Sequence, residues 1–102
     1  ELREECLERL AKKELRITEF YVRREAWVSV QGRAKRLVQD YPNSQYKSEA
    51  LYWLSLSATY TQEQEIVDAA LAQLDGLDSD LGAVARRKIE RIKSELAKSD
   101  NG

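Results

Sequence analysis

Apolar residues recur along this chain at intervals of three and four, the spacing of one face of an α-helix and not that of a strand. Between Glu4 and Arg23 they fall at Leu7, Leu10, Ala11, Ile17, Phe20 and Tyr21, separated by Glu, Lys and Arg. That pattern predicts a first helix with those residues on its buried side. Trp27, Val30, Ala34, Leu37 and Tyr41 continue at unbroken steps of three and four and predict a second helix. Pro42 stops it, because the residue before a proline is driven out of the α region. Between the two, Arg23-Arg24-Glu25-Ala26 keeps helical propensity while the apolar phase shifts. The shift predicts a tight inter-helix turn; one continuous bent helix is the competing arrangement.

Beyond Tyr41-Pro42-Asn43, Ser44 is placed to cap a third helix with Tyr46, Ala50, Leu51, Trp53, Leu54, Ser57 and Ala58 on a face wide enough to leave it largely buried. Thr61-Gln62-Glu63-Gln64 reads as a capping box at the start of a fourth helix carrying Ile66, Val67, Ala70, Leu71 and Leu74. Gly76 is expected to end that helix, and Ser79 or Asp80 to cap a fifth with Leu81, Ala85, Ile89, Ile92 and Leu96 inward. Pro42 and Ser79 mark equivalent ends 37 residues apart, which suggests a repeat. Leu51, Leu54, Ser55, Ala58, Val67, Leu71 and Leu74 stand where a tetratricopeptide repeat puts its packing residues, the small Ser55 and Ala58 letting paired helices approach closely. Ile17, Tyr21, Val30, Ala34 and Leu37 form a looser first copy. The predicted fold is therefore all-α, tetratricopeptide-like helical hairpins stacked as an α-solenoid of about five helices. Residues 1–44 form the first hairpin, 45–78 the second and 79–98 a C-terminal capping helix; 99–102 are expected to be a disordered tail. The capping helix should turn Arg86, Arg87, Lys88, Arg91 and Lys93 to water.

Charge narrows the partners. Lys plus Arg number 17 against 18 Asp plus Glu, so no overall field draws the chain to nucleic acid or to an anionic membrane. Histidine is absent and Cys6 is the sole cysteine, which excludes His-based metal sites, a Ser-His-Asp triad, a Cys-His dyad and an intrachain disulfide. Acidic pairs such as Glu4-Glu5 and Asp78/Asp80 sit where helices start, and the helix dipole accounts for them. No catalytic, cofactor-binding or metal-binding residue is expected, and the chain reads as a binding module and not an enzyme. Its longest apolar runs, such as Ala50-Leu51-Tyr52-Trp53-Leu54, are too short to span a bilayer. It opens inside a charged helical pattern, as a piece of a longer protein would. Two stacked hairpins are few for a solenoid, so an exposed apolar end is expected to let the isolated piece dimerise.

The run from Glu14 to Val30 carries a more specific signal. A helix ending in Phe20-Tyr21, then Arg23-Arg24, Ala26-Trp27, Arg33 and the stop Asp40-Tyr41-Pro42, resembles the penultimate repeat of the BamD/ComL (YfiO) family of outer-membrane assembly lipoproteins. The last repeat to about Leu74 matches more loosely, and Asp75 to Gly102 has no aligned counterpart. The family's usual turn glycine is Glu25 here. Cys6, preceded by Arg3-Glu4-Glu5, lacks the small and apolar residues that precede a lipidated cysteine.

The resemblance implies a lipid-anchored parent protein on the periplasmic face of the outer membrane of a Gram-negative bacterium. It implies that the C-terminal repeats dock onto the POTRA region of a BamA-type barrel insertase, with other accessory lipoproteins as further partners. It places Arg33 at an arginine used in that contact, with Arg36 and Arg24 as neighbouring partner-binding candidates. The alternative is a generic periplasmic adaptor that holds extended peptides.

Overall fold

The phase shift at residues 23–26 proves to be a turn. Glu25 adopts a left-handed φ of 56°. The Ala26 amide donates to Tyr21 O at 3.0 Å and the Glu25 amide to Val22 O at 2.9 Å. That is a Schellman cap, the glycine position being filled by Glu25. The same device recurs at Gln62, φ 61°, where the Glu63 amide donates to Ala58 O and the Gln62 amide to Thr59 O. The two caps lie 37 residues apart, as the repeat spacing requires.

The computed structural model describes residues 2–101. The described chain forms five helices and no strand: α1 (Leu2–Arg23), α2 (Trp27–Asp40), α3 (Lys47–Tyr60), α4 (Gln64–Leu77) and α5 (Ser79–Asn101). α1 and α2 make one hairpin, α3 and α4 the next, and α5 packs against both α3 and α4. These are tetratricopeptide-like hairpins, and residues at the 37-residue offset share their surroundings. Val30 and Leu37 of α2 are buried, as are Val67 and Leu74 of α4. Thr18 of α1 and Ser55 of α3 are both fully buried small residues. Each returns its hydroxyl proton to its own helix, Thr18 to Glu14 O at 2.9 Å and Ser55 to Tyr52 O at 2.7 Å, which satisfies the buried oxygen while the partner helix closes in.

α3 is the centre of the molecule. Ala50, Leu51, Tyr52 and every residue from Leu54 to Thr59 are buried, so the helix is enclosed all round. A larger cluster joins Leu51, Leu54 and Ala58 to Leu71, Leu74, Ala85, Ile89 and Ile92. A smaller one joins Leu15, Leu37 and Ala50, with Trp53 packed against both. At the joint between hairpins Trp27 stacks on Tyr60 with centroids 4.1 Å apart, a contact worth about 1 kcal/mol beyond its buried area. Burial there, then the nearby charges of Glu95 and Glu25, push the Tyr60 phenol above its ordinary pKa.

Five local expectations are corrected. In α1 the buried line is Ala11, Leu15 and Thr18, whereas Leu7, Leu10 and Phe20 are 41%, 47% and 42% exposed. α1 packs mainly against α2, so only one of its two apolar lines can be covered. Thr61-Gln62-Glu63-Gln64 is not a capping box. Thr61 closes α3, and its hydroxyl donates to Gln31 Oε1 at 2.7 Å, while Gln64 reaches Asp68. Gly76 lies inside α4, and Asp78 caps α5 by accepting the Leu81 amide at 3.1 Å, in place of Ser79 or Asp80. Finally, α5 extends through 99–101, where a disordered tail was expected; only Gly102 of that segment lies outside the described residues. No glycine or proline interrupts α5 after Gly82, and Lys98 in its last turn favours the dipole's negative end.

α4 and α5 are clasped by Arg86, which donates to both Asp75 carboxylate oxygens at 2.7 and 2.6 Å. Gly82 makes room, since a Cβ there would run into Asp75 Oδ1. The Arg86 hydrogen bonds, reinforced by its charge and opposed by desolvation, hold the Asp75 carboxyl below the ordinary aspartate range. A depressed folded-state pKa contributes stability above the unfolded value and loses it as pH falls through the folded one. In a carboxyl-carbon NMR titration, Asp75 is expected to titrate below an ordinary aspartate and to return to the ordinary value in Arg86→Gln. Gly82→Ala should do the same without lowering the melting temperature, because alanine gains about 1 kcal/mol over glycine within a helix. An unmoved midpoint in both variants would contradict the clasp.

Candidate functional site

The buried side of α2 is Val30, Ala34 and Leu37. Its opposite side is thereby fixed in space by packing while remaining open to solvent. Ser29, Gly32, Arg33 and Arg36 lie there at steps of three and four, and together with Tyr21 of α1 they line a shallow groove of about 340 Å³. The sequence thus places two of the three candidate arginines in one groove. Arg33 is 35% exposed and donates from Nη1 to Glu14 Oε2 at 3.5 Å, a single long contact that leaves most of the guanidinium fork uncommitted.

Arg24 does not line the groove. Its guanidinium carbon lies 4.3 Å from the centroid of the Phe20 ring, and Phe20 meets Tyr21 edge-on at 5.4 Å. Arg24 is therefore one aromatic ring removed from the groove that holds Arg33 and Arg36. Val28, one turn before Gly32 on α2, is 77% exposed and adds an apolar element beside it. Arginines, two aromatic rings and an exposed valine on a rigid helical surface have the composition of a protein–protein contact.

Phe20 and Tyr21 are the residues at this groove that periodicity misassigned, because they were counted into the buried line of α1. The i, i+4 relation of Phe20 to Arg24 was visible in the sequence and would have marked an exposed cation–aromatic pair. Glu14, the partner of Arg33, gave no local sign, as the two are 19 residues apart. Among the described residues no group of His, Cys, Asp and Glu side chains could hold a metal ion. Cys6 is a free, exposed thiol.

The fold defines a protein of helical hairpins with an exposed arginine-bearing groove on α2. The model of the YfiO family, described as outer membrane lipoprotein, matches residues 3–74, and the chain belongs to that family. The match covers α1 to α3 and most of α4, and α5 lies beyond it. Among curated proteins the chain is similar to the outer membrane protein assembly factor BamD of Xylella fastidiosa strain 9a5c. The two are 35% identical over 60 residues, 59% of this chain and 20% of that protein. It is likewise similar to BamD of Haemophilus influenzae strain Rd, 34% identical over 67 residues, 59% of this chain and 26% of that protein. The chain thus spans about a fifth to a quarter of the length of these relatives. No solved structure gives a significant match.

Proposed function

We propose that the chain is the C-terminal repeat region of a BamD-like scaffold subunit of the outer-membrane β-barrel assembly machinery, and that it docks onto the POTRA region of a BamA-type insertase. The contact face is the Tyr21–Arg33–Arg36 groove, extended by Arg24 and Phe20. The observation that carries this reading is the pairing of family membership with an arginine-rich groove whose supporting helix is locked from behind by fully buried Val30, Ala34 and Leu37. The two relatives are named as assembly factors, which favours binding over catalysis. The parent protein would sit on the periplasmic face of the outer membrane through a lipid anchor, with accessory lipoproteins as further partners. No helix among the described residues is long and apolar enough to cross a membrane.

The test is an amide NMR footprint of the chain mixed with POTRA domains. Signals of Tyr21, Ser29, Gly32 and Arg36 are expected to shift or broaden; a footprint confined to other residues would contradict the assignment. The exposed α1 residues Leu7 and Leu10, one turn apart, form a second apolar surface, through which the isolated chain is expected to dimerise. Light scattering should show a mass rising with concentration that Leu10→Glu abolishes, and a monomer at every concentration would remove the dimer.

A further inference from the structure

The net charge of −1 conceals a basic segment on α5. From Arg86 to Lys98 stand six basic residues and two carboxylates, a local charge of +4 that leaves the remainder of the chain net acidic. The inward side of α5 is the line Ala85, Ile89, Ile92 and Leu96, at steps of four, three and four. Arg87, Arg91, Ser94 and Lys98 repeat those steps two residues further on, which is about 200° around an α-helix. They therefore share the side facing away from α3 and α4, and all four are exposed. Along the helix axis the line from Arg87 to Lys98 runs about 16 Å.

Two other cations of α5 are already engaged. Arg86 clasps Asp75, and the Lys88 ammonium lies over the Tyr52 ring, 5.7 Å from its centroid. Among the described residues no ion pair engages Arg87, Arg91 or Lys98, although Glu90 and Glu95 flank their line. The contrast with the Arg33 groove is in what accompanies the cations. There Tyr21 lines the groove and Val28 stands beside it, whereas the α5 line holds no aromatic or aliphatic side chain. A protein partner is gripped through a desolvated apolar centre, and single-stranded nucleic acid through aromatic stacking. A plane of anionic head groups needs only cations at its level.

We propose that the outer face of α5 rests on an anionic phospholipid surface, Arg87, Arg91 and Lys98 donating to head-group phosphates while Ala85, Ile89 and Ile92 hold the helix to the protein. Charge complementarity selects the surface and the orientation together, because an anionic plane attracts this face and repels the acidic remainder of the chain. Each basic side chain at such a surface strengthens the attachment about fivefold. The contact is peripheral, since no apolar side chain of the line enters the bilayer. The family match, to a family described as outer membrane lipoprotein, ends at residue 74, and α5 lies beyond it. In the lipid-anchored parent proposed above, α5 orients the repeat region against the membrane. The contact itself is independent of POTRA docking, since it shares no residue with the Arg33 groove.

The experiment is flotation of the whole chain with vesicles of phosphatidylglycerol and phosphatidylcholine in equal parts, beside vesicles of phosphatidylcholine alone. The chain is expected to float with the anionic vesicles only. Raising salt from about 0.1 M to about 1 M, which shortens the screening length from about 10 Å to about 3 Å, should release it. Arg87→Gln combined with Arg91→Gln should weaken the partition about tenfold or more with helicity unchanged. Lys12→Gln combined with Lys13→Gln, at exposed positions of α1, alters the net charge equally and should leave the partition as it was. Failure of the folded chain to float with anionic vesicles, equal flotation with phosphatidylcholine alone, or equal loss in the two double variants would each overturn the proposal. So would displacement from the vesicles by a capped hexaglutamate peptide at equal charge concentration, which would mark the face as a site for an acidic protein segment.

Discussion

Replacing Leu37 by alanine is expected to remove about 2–5 kcal/mol of folding stability, the range for a buried leucine whose cavity does not collapse. Leu37 is fully buried and joins three helices, contacting Leu15 of α1 and Ala50 of α3 from its place on α2. Two features make collapse difficult. Ala50 and the neighbouring Ala34 are already small, and α2 is pinned by the Glu25 turn that ties its start to α1 and by the Tyr41 amide on Leu37 O at its end. Small domains are stable by only about 5–15 kcal/mol, so the variant should lose a large share of its margin. Urea unfolding followed by helical ellipticity should show a lowered midpoint with an unchanged slope. Leu10→Ala, at a residue 47% exposed, should shift stability by no more than about 0.5 kcal/mol. Equal effects at the two positions would contradict the packing of α1 described above.

Arg33→Glu is expected to weaken binding to POTRA domains by about 100-fold or more, in line with the roughly 2–5 kcal/mol lost when one partner of a buried interfacial charge pair is removed. In the free chain Arg33 has a single 3.5 Å contact with Glu14, whose side chain is 17% exposed. Such a half-exposed pair contributes only about 0–1 kcal/mol, so folding should survive the change. Reversal sets two carboxylates side by side and offers a like charge to any acidic partner. Arg33→Lys should fall between parent and Arg33→Glu, because an ammonium lacks the planar fork that grips a carboxylate at two points. Glu14→Gln separates the internal pair from the interface: binding equal to or tighter than the parent's is expected. A dissociation constant that Arg33→Glu leaves unchanged would contradict the assignment of the face.

Much of the fold was legible because the apolar spacing of α2, α4 and α5 is unambiguous and each of these helices has one covered side. The turn at 23–26 was legible from a phase shift alone, even though Glu25 occupies a position that favours glycine. α1 was misjudged on its inner side because it carries two apolar lines, and a periodicity cannot say which one a neighbour covers. The helix starts at 64 and 79 were misassigned for a related reason. A Schellman cap at Gln62 draws Thr61 into the end of α3, and Asp78 reaches the Leu81 amide before Ser79 or Asp80 can act. Arg33 and Arg36 were found by family likeness and their common groove by structure. The contact of Arg33 with Glu14 could not be read locally, since the two residues lie 19 positions apart in the chain.

The claim at the centre of this account is that the α2 face engages a POTRA domain, and calorimetric titration of the chain into the POTRA domains of a cognate insertase tests it most directly. The account predicts saturable one-to-one binding that Arg33→Glu removes with the helical spectrum unchanged. No heat of binding from a fully folded parent chain, or binding that Arg33→Glu leaves intact, would contradict it.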